Sequence, residues 1–282
     1  IAIILFSHLI ILYFLQSYHF LYLILKLNTS LNKIIPFYFM KLIKLDAIDS
    51  TNDFLKRLSG EQSLENFTVV TAENQSHGKG QMGSKWDSET GKNLMFSVLV
   101  KNKLNNINEI FDLNVAVALS ILTALEKNNI PNITIKWPND IMSDNKKVAG
   151  ILIENTIKNN GEILSIIGVG LNVNQLNFDN LPKASSLAVI SKKEFDKDSI
   201  LNQLIECLKL NCDLLQNKSA AQLWNSYNHN LFKIGIPMAF SLPDGNQFMG
   251  IIQGVNSSGK LEVKLANDTI VTFGIKEIQL LY

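Results

Sequence analysis

Residues 133–174 read ITIKWPNDIMSDNKKVAGILIENTIKNNGEILSIIGVGLNVN, and this stretch decides the fold. KVAGILIENTI and EILSIIGVGLNVN have the apolar, β-branched content of strands, and KNNG between them is a hairpin-type connection. Upstream, ITIKWPND is a strand running into a turn fixed by Pro138, which throws Asn139 and Asp140 outward. Such residues meet a ligand, or they are a solvated proline turn. Asp140 suits a magnesium ion or a ribose hydroxyl, and Lys147 can neutralise a phosphate or carboxylate. Gly168 and Gly170, inside a strand, mark close approach by another backbone or a ligand, or a tight strand crossing.

Working outward, MKLIKLDAI is a first strand. A short helix follows over DSTNDFLKRLSG, with Asp49 or Ser50 to cap it and Gly60 to end it. FTVVTAEN is a strand, and NLMFSVLV (93–100) is a continuous apolar strand of the buried kind. Residues 110–127 have the length and period of a core helix. Residues 197–216 place Leu201, Leu204, Ile205, Leu208, Cys212 and Leu215 on one helical face, and a further helix carries Trp224 and Tyr227. After Gly235 short strands alternate with PDG, NSSG and AND turns, the pattern of a small β-barrel. The class is α+β, a mixed sheet domain followed by a small all-β one.

With 282 residues, 46% of them hydrophobic, the chain can bury a sizeable core. A net charge of +1 argues against a dedicated nucleic-acid binder. Cys207 and Cys212 fit no metal or redox motif, and one interior helix can bury both, which favours a reducing compartment. Residues 1–39 are apolar over about a membrane span, with Lys26 and Lys33 after it. They read as a signal-anchor helix or as translated A/T-rich non-coding sequence. We favour Met40 as the start. Without Lys26 and Lys33 the balance is 24 basic against 25 acidic residues, a net of −1.

Residues 75–86, QSHGKGQMGSKW, follow the second strand. Ordered glycines are costly, so this is a mobile hairpin loop or a backbone anion cradle to which Lys79 and Lys85 add charge. It is neither a dinucleotide fingerprint nor a Walker loop.

Taken together, Ser50-Thr51-Asn52, GKGQMGSKW, KWPND followed by KVAGILIE, and GVGLN resemble the biotin protein ligases in order and interval, from about Met40 to the C-terminus. The resemblance implies a mixed-sheet core of the class II aminoacyl-tRNA synthetase and biotin ligase type, with helices packed on it (40–233). An SH3-like β-barrel would follow (234–282). With no room for a DNA-binding domain after Met40, it implies a monofunctional, cytoplasmic ligase. ATP and Mg2+ would turn biotin into biotinyl-5′-AMP, and a lysine of a biotin carboxyl carrier domain would receive the acyl group. No nucleic acid or membrane partner is implied; a homodimer is compatible.

By the same resemblance Lys147 is catalytic. Ser50, Thr51, Asn52, Gln75, Gly78, Lys79, Gln81, Lys147 and Gly150 would bind biotin. Lys79, Gly80, Gln81, Trp86, Lys136, Asn139, Asp140 and Asn172 would serve the nucleotide, with Asp140 as metal ligand. Lys79, Gln81 and Ser84 stand where the family carries arginines, so the loop would hold the adenylate less firmly. The rivals are a lipoate–protein ligase and a non-catalytic biotin- or nucleotide-binding regulator.

Overall fold

The computed structural model describes residues 41–104, 109–216 and 220–282, so the reading of residues 1–39 lies outside the described residues. Residues 41–282 make one compact unit. Its frame is a seven-stranded sheet in the order β1-β2-β3-β7-β6-β5-β4. The strands are β1 (Leu42–Ile48), β2 (Val69–Gln75), β3 (Leu94–Lys101), β4 (Ile133–Lys136), β5 (Asp140–Ser143), β6 (Lys146–Ile157) and β7 (Ile163–Leu171). Only β1 and β2 pair in parallel, joined by helix α1 (Thr51–Glu61) as a parallel pair requires. All other neighbours are antiparallel.

Sequence and structure agree on the centre of this sheet. β3 is buried from Leu94 to Val100, as its unbroken apolar run demands. β6 and β7 form the expected hairpin. The turn after KWPND turns out to hold a strand of its own: Asp140–Ser143 pairs with β4 on one side and β6 on the other. Four residues between two turns carry too little period to be read from sequence.

Helix α1 starts at the Ser50 cap, whose hydroxyl accepts from the Asp53 amide. It packs Leu55 onto Leu64, Val70, Leu99 and Ile166. Burial of Leu55 alone contributes about 2 kcal/mol, and it holds the start of α1 against β3 and β7. Helix α2 (Ile110–Lys127) covers β4 to β6 and packs against α4 (Lys197–Gln216) and α5 (Ala220–His229). A short helix, α3 (Leu187–Ser191), precedes α4. α4 buries Leu201, Leu204, Ile205, Leu208, Cys207 and Cys212 as expected, while Leu215 is only half-buried. Both thiols are free, and burial pushes that of Cys212 up to about 12.

Residues 237–281 form an antiparallel sheet in the order β11-β10-β9-β8-β12, from β8 (Pro237–Ser241), β9 (Gln247–Val255), β10 (Leu261–Leu265), β11 (Ile270–Phe273) and β12 (Gln279–Leu281). Phe240, Phe248 and Phe273 stack through it at 5.5 and 5.9 Å. Trp137 Nε1 donates to the Gly259 carbonyl at 2.9 Å, tying this sheet to the KWPND turn. Among the described residues no helix is long and apolar enough to cross a membrane.

Candidate active site

Strand pairing sets Gly150 opposite Gly170, and Gly168 opposite both Ser97 and Leu152, on the α1 side of the large sheet. A Cβ on Gly170 would stand 2.4 Å from Trp86 Cε2, and one on Gly168 would stand 2.4 Å from Asn52 Oδ1. The strand glycines are therefore there for close approach by side chains. They floor a cavity of about 640 Å³, bordered by the glycine loop and the C-terminal sheet.

One end of the cavity is basic. Lys147 Nζ sits 2.6 Å from Asp140 Oδ1, and Lys136 Nζ 3.4 Å from Asp140 Oδ2. Lys183 lines the same end with its ammonium 4.2 Å from the ring centre of Tyr282. Burial, and then the Asp140 charge, raise the Tyr282 phenol above its usual range.

Lys147 reaches this place through a break in register. Met142 pairs with Lys147 and Ile141 with Ala149, so Val148 is an extra residue in β6. In a regular strand Lys147 and Gly150, three apart, would face opposite sides. The bulge turns Lys147 onto the face of Gly150, where its Nζ would lie 3.3 Å from a Cβ on that glycine. The carbonyl of Lys183 and the amide of Ser185 hold the Lys147 backbone from the far side.

The other end is neutral and buried. Gln75 Oε1 accepts from the Thr51 amide at 2.8 Å and lies 3.1 Å from its hydroxyl. Ser97 Oγ stands 2.8 Å from Thr51 Oγ1 and 2.5 Å from Asn52 Oδ1. Asn52 Nδ2 donates to Glu154 at 2.9 Å.

Between the ends lies the glycine loop, a small hairpin. Trp86 N donates to Gly78 O and Gly80 N to Ser84 O, around a Gln81–Gly83 turn. Lys79 lines the cavity and pairs with the Asp53 carboxylate at 2.7 Å, and that hydrogen bond raises its pKa. The Trp86 ring lies on Gly170 with the Lys147 ammonium 5.6 Å from its centre. Trp86 Nε1 is buried without a hydrogen-bond partner among the described residues. Lys276, in the turn between β11 and β12, donates to Met82 O at 3.3 Å.

Ser50, Thr51, Asn52, Gln75, Lys79, Gly80, Gln81, Trp86, Lys136, Asn139, Asp140, Lys147 and Gly150 all line this cavity. Two expected residues do not. Gly78 backs the loop, where a Cβ would collide with the Trp86 carbonyl at 2.4 Å. Asn172 is buried and donates to the Ser185 carbonyl, bracing the segment behind Lys147. Asn139 lines the cavity and also clamps Ile151 through its side chain and its carbonyl, both at 2.9 Å. Sequence reasoning missed Ser97, Glu154, Lys183 and Tyr282, of which only the Ser in an otherwise apolar strand left a trace.

Among the described residues no three His, Cys, Asp or Glu side chains gather. Both oxygens of Asp140 face ammonium groups, so a magnesium ion there would have to displace a lysine. The residues present do not fit a magnesium site built by this chain.

Beside this mixed sheet and its glycine-floored cavity, basic at one end and neutral at the other, stands a likeness of class: residues 44–174 match the model of the Biotin/lipoate A/B protein ligase family. Within that class it is similar to biotin protein ligases. It is 29% identical over 228 residues to the bifunctional ligase/repressor BirA of Bacillus spizizenii, covering 78% of this chain and 68% of that one. It is 28% identical over 231 residues to the biotin–[acetyl-CoA-carboxylase] ligase of Mycobacterium tuberculosis, covering 79% and 82%. The biotin protein ligase of Aquifex aeolicus, solved with biotin and ATP, superposes with a TM-score of 0.71 at 27% identity, covering 86% and 99%.

Proposed function

We propose that this protein activates biotin with ATP and transfers it to a lysine of a biotin carboxyl carrier domain of the acetyl-CoA carboxylase type. The observation that carries the reading is one cavity that joins the Thr51–Gln75 end to the Lys147 end across a glycine floor. The neutral end offers hydrogen-bonding groups of the kind a ureido ring needs, which favours biotin over a dithiolane acid.

A biotin carboxylate oxygen attacks the α-phosphorus of ATP, the α–β phosphoanhydride bond breaks, and pyrophosphate leaves. The acceptor amine then attacks the acyl carbon of biotinyl-5′-AMP, the bond to the phosphate oxygen breaks, AMP leaves, and the amine loses a proton. Both steps concentrate negative charge where carboxylate and phosphate meet. Lys147 serves there, with Lys136 and Lys183 as flanking cations. Asp140 keeps Lys147 and Lys136 directed at that point. Trp86 and the glycine loop cover the anhydride and keep water from it. Magnesium belongs to this proposal as companion of the triphosphate. An SH3-like C-terminal barrel, a homodimer, a cytoplasmic location and the absence of a nucleic-acid partner rest on the resemblance.

Labelled biotin, ATP and an apo carrier domain test the reading: incorporation at the carrier lysine is expected, and label from lipoate in its place would overturn it.

A further inference from the structure

The hydrogen bonds at the neutral end have a direction. Asn52 Nδ2 faces acceptors only, the Glu154 carboxylate at 2.9 Å and the Leu152 carbonyl at 3.5 Å. The opposite rotamer would set Asn52 Oδ1 against that carboxylate, so Oδ1 is held toward Ser97. An amide oxygen cannot donate, so the 2.5 Å contact takes the single proton of Ser97. The Thr51 proton then has two acceptors in reach, the Ser97 hydroxyl at 2.8 Å and Gln75 Oε1 at 3.1 Å, and the shorter contact takes it. Gln75 Oε1 keeps the Thr51 amide as its donor.

We propose that Glu154, Asn52 and Ser97 form a one-way relay that draws the Thr51 proton inward, so that Thr51 meets the cavity as an acceptor and selects a ring N–H. The proposal rests on the biotin reading and names what makes the site specific for a cyclic urea. It recasts Asn52, whose amide is consumed by Ser97 and Glu154, as a positioning residue that acts through Thr51. It also accounts for Gly168: a side chain there would meet the Asn52 amide that sets the direction. The relay is buried at Ser97, Thr51 and Asn52, where water cannot take the place of a mispaired hydroxyl.

The test uses biotin and its two cyclic carbamate analogues, each with one ring N–H replaced by oxygen, in ATP-dependent adenylation by the full chain. The unaltered protein should prefer biotin strongly over the analogue whose oxygen faces Thr51. In Ser97→Ala the Thr51 proton is released. kcat/KM for biotin should fall about tenfold, that for the analogue should hold or rise, and KM for ATP should not move. Glu154→Leu frees the Asn52 amide to turn, and should compress the same ratio. Glu154→Gln still offers an acceptor and should restore it. Equal losses for biotin and carbamate in Ser97→Ala and Glu154→Leu, or a matching rise in KM for ATP, would overturn the relay and leave the ligase reading standing. No adenylation of biotin by the unaltered protein would overturn both.

Discussion

The two ends of the cavity solve recognition in opposite ways. At the neutral end Thr51, Asn52 and Ser97 are no more than 4% exposed and their polar groups are committed to one another. At the basic end Lys136 and Lys147 have side chains 23% and 33% exposed, on long stems, sharing a single carboxylate. A neutral ring offers only hydrogen bonds, which discriminate well when the partner groups are dry and fixed. A reacting phosphate offers charge that moves during the reaction, and flexible cations can follow it at the cost of precision. Removing a group should therefore cost rate at one end and selectivity at the other.

The largest effect is expected from Lys147→Ala. Single-turnover adenylation should slow by about 10² or more, while thermal unfolding stays within about 1 °C, since the side chain is a third exposed. A loss no greater than fivefold would break the contrast.

Next come the glycines of the floor. In Gly170→Ala the new methyl would meet Trp86, and in Gly168→Ala it would meet Asn52, both at 2.4 Å. Each should destabilise by about 1–3 kcal/mol in urea titration. Gly170→Ala should disturb the loop and raise KM for both substrates, whereas Gly168→Ala should raise that for biotin alone. Identical profiles would show that the floor is one unit.

At the neutral end, Thr51→Val keeps shape and removes the hydroxyl. KM for biotin should rise about tenfold with kcat and KM for ATP nearly unchanged. A fall in kcat instead would place Thr51 in the chemistry.

The smallest effect is expected at the rim. Lys276→Ala removes a 3.3 Å bond from the β11–β12 turn to the glycine loop, and release of the adenylate, followed by dissociation of labelled biotinyl-5′-AMP, should quicken by about twofold. Gln81→Arg should slow the same release, because a planar fork holds phosphate in two places at once.

The buried centre of the large sheet was legible because β3, β6 and β7 are long enough for residue type to average out. The cysteine helix was legible for the same reason. The α1 start was legible through its cap, and so was the cluster of motif residues, thirteen of which share one cavity. Asn172 and Asn139 show what sequence leaves open, because an asparagine beside a motif looks the same whether it meets a ligand, clamps a backbone or does both. Only its neighbours distinguish the two, and here they are Ser185 and Ile151.

What the sequence determined by itself was the order of the longer strands and helices and which segments carry polar groups worth placing. Local periodicity and turn chemistry suffice for that. The tertiary structure decided which way those groups face. Lys147 and Gly150, three apart, belong on opposite sides of a regular strand; one extra residue opposite Met142 puts them on the same side. Ser97, Asn52 and Glu154, distant in sequence, acquire a direction only when β3, α1 and β6 meet at Gly168. Register and long-range contact are set by pairing between segments, and no segment carries that information alone.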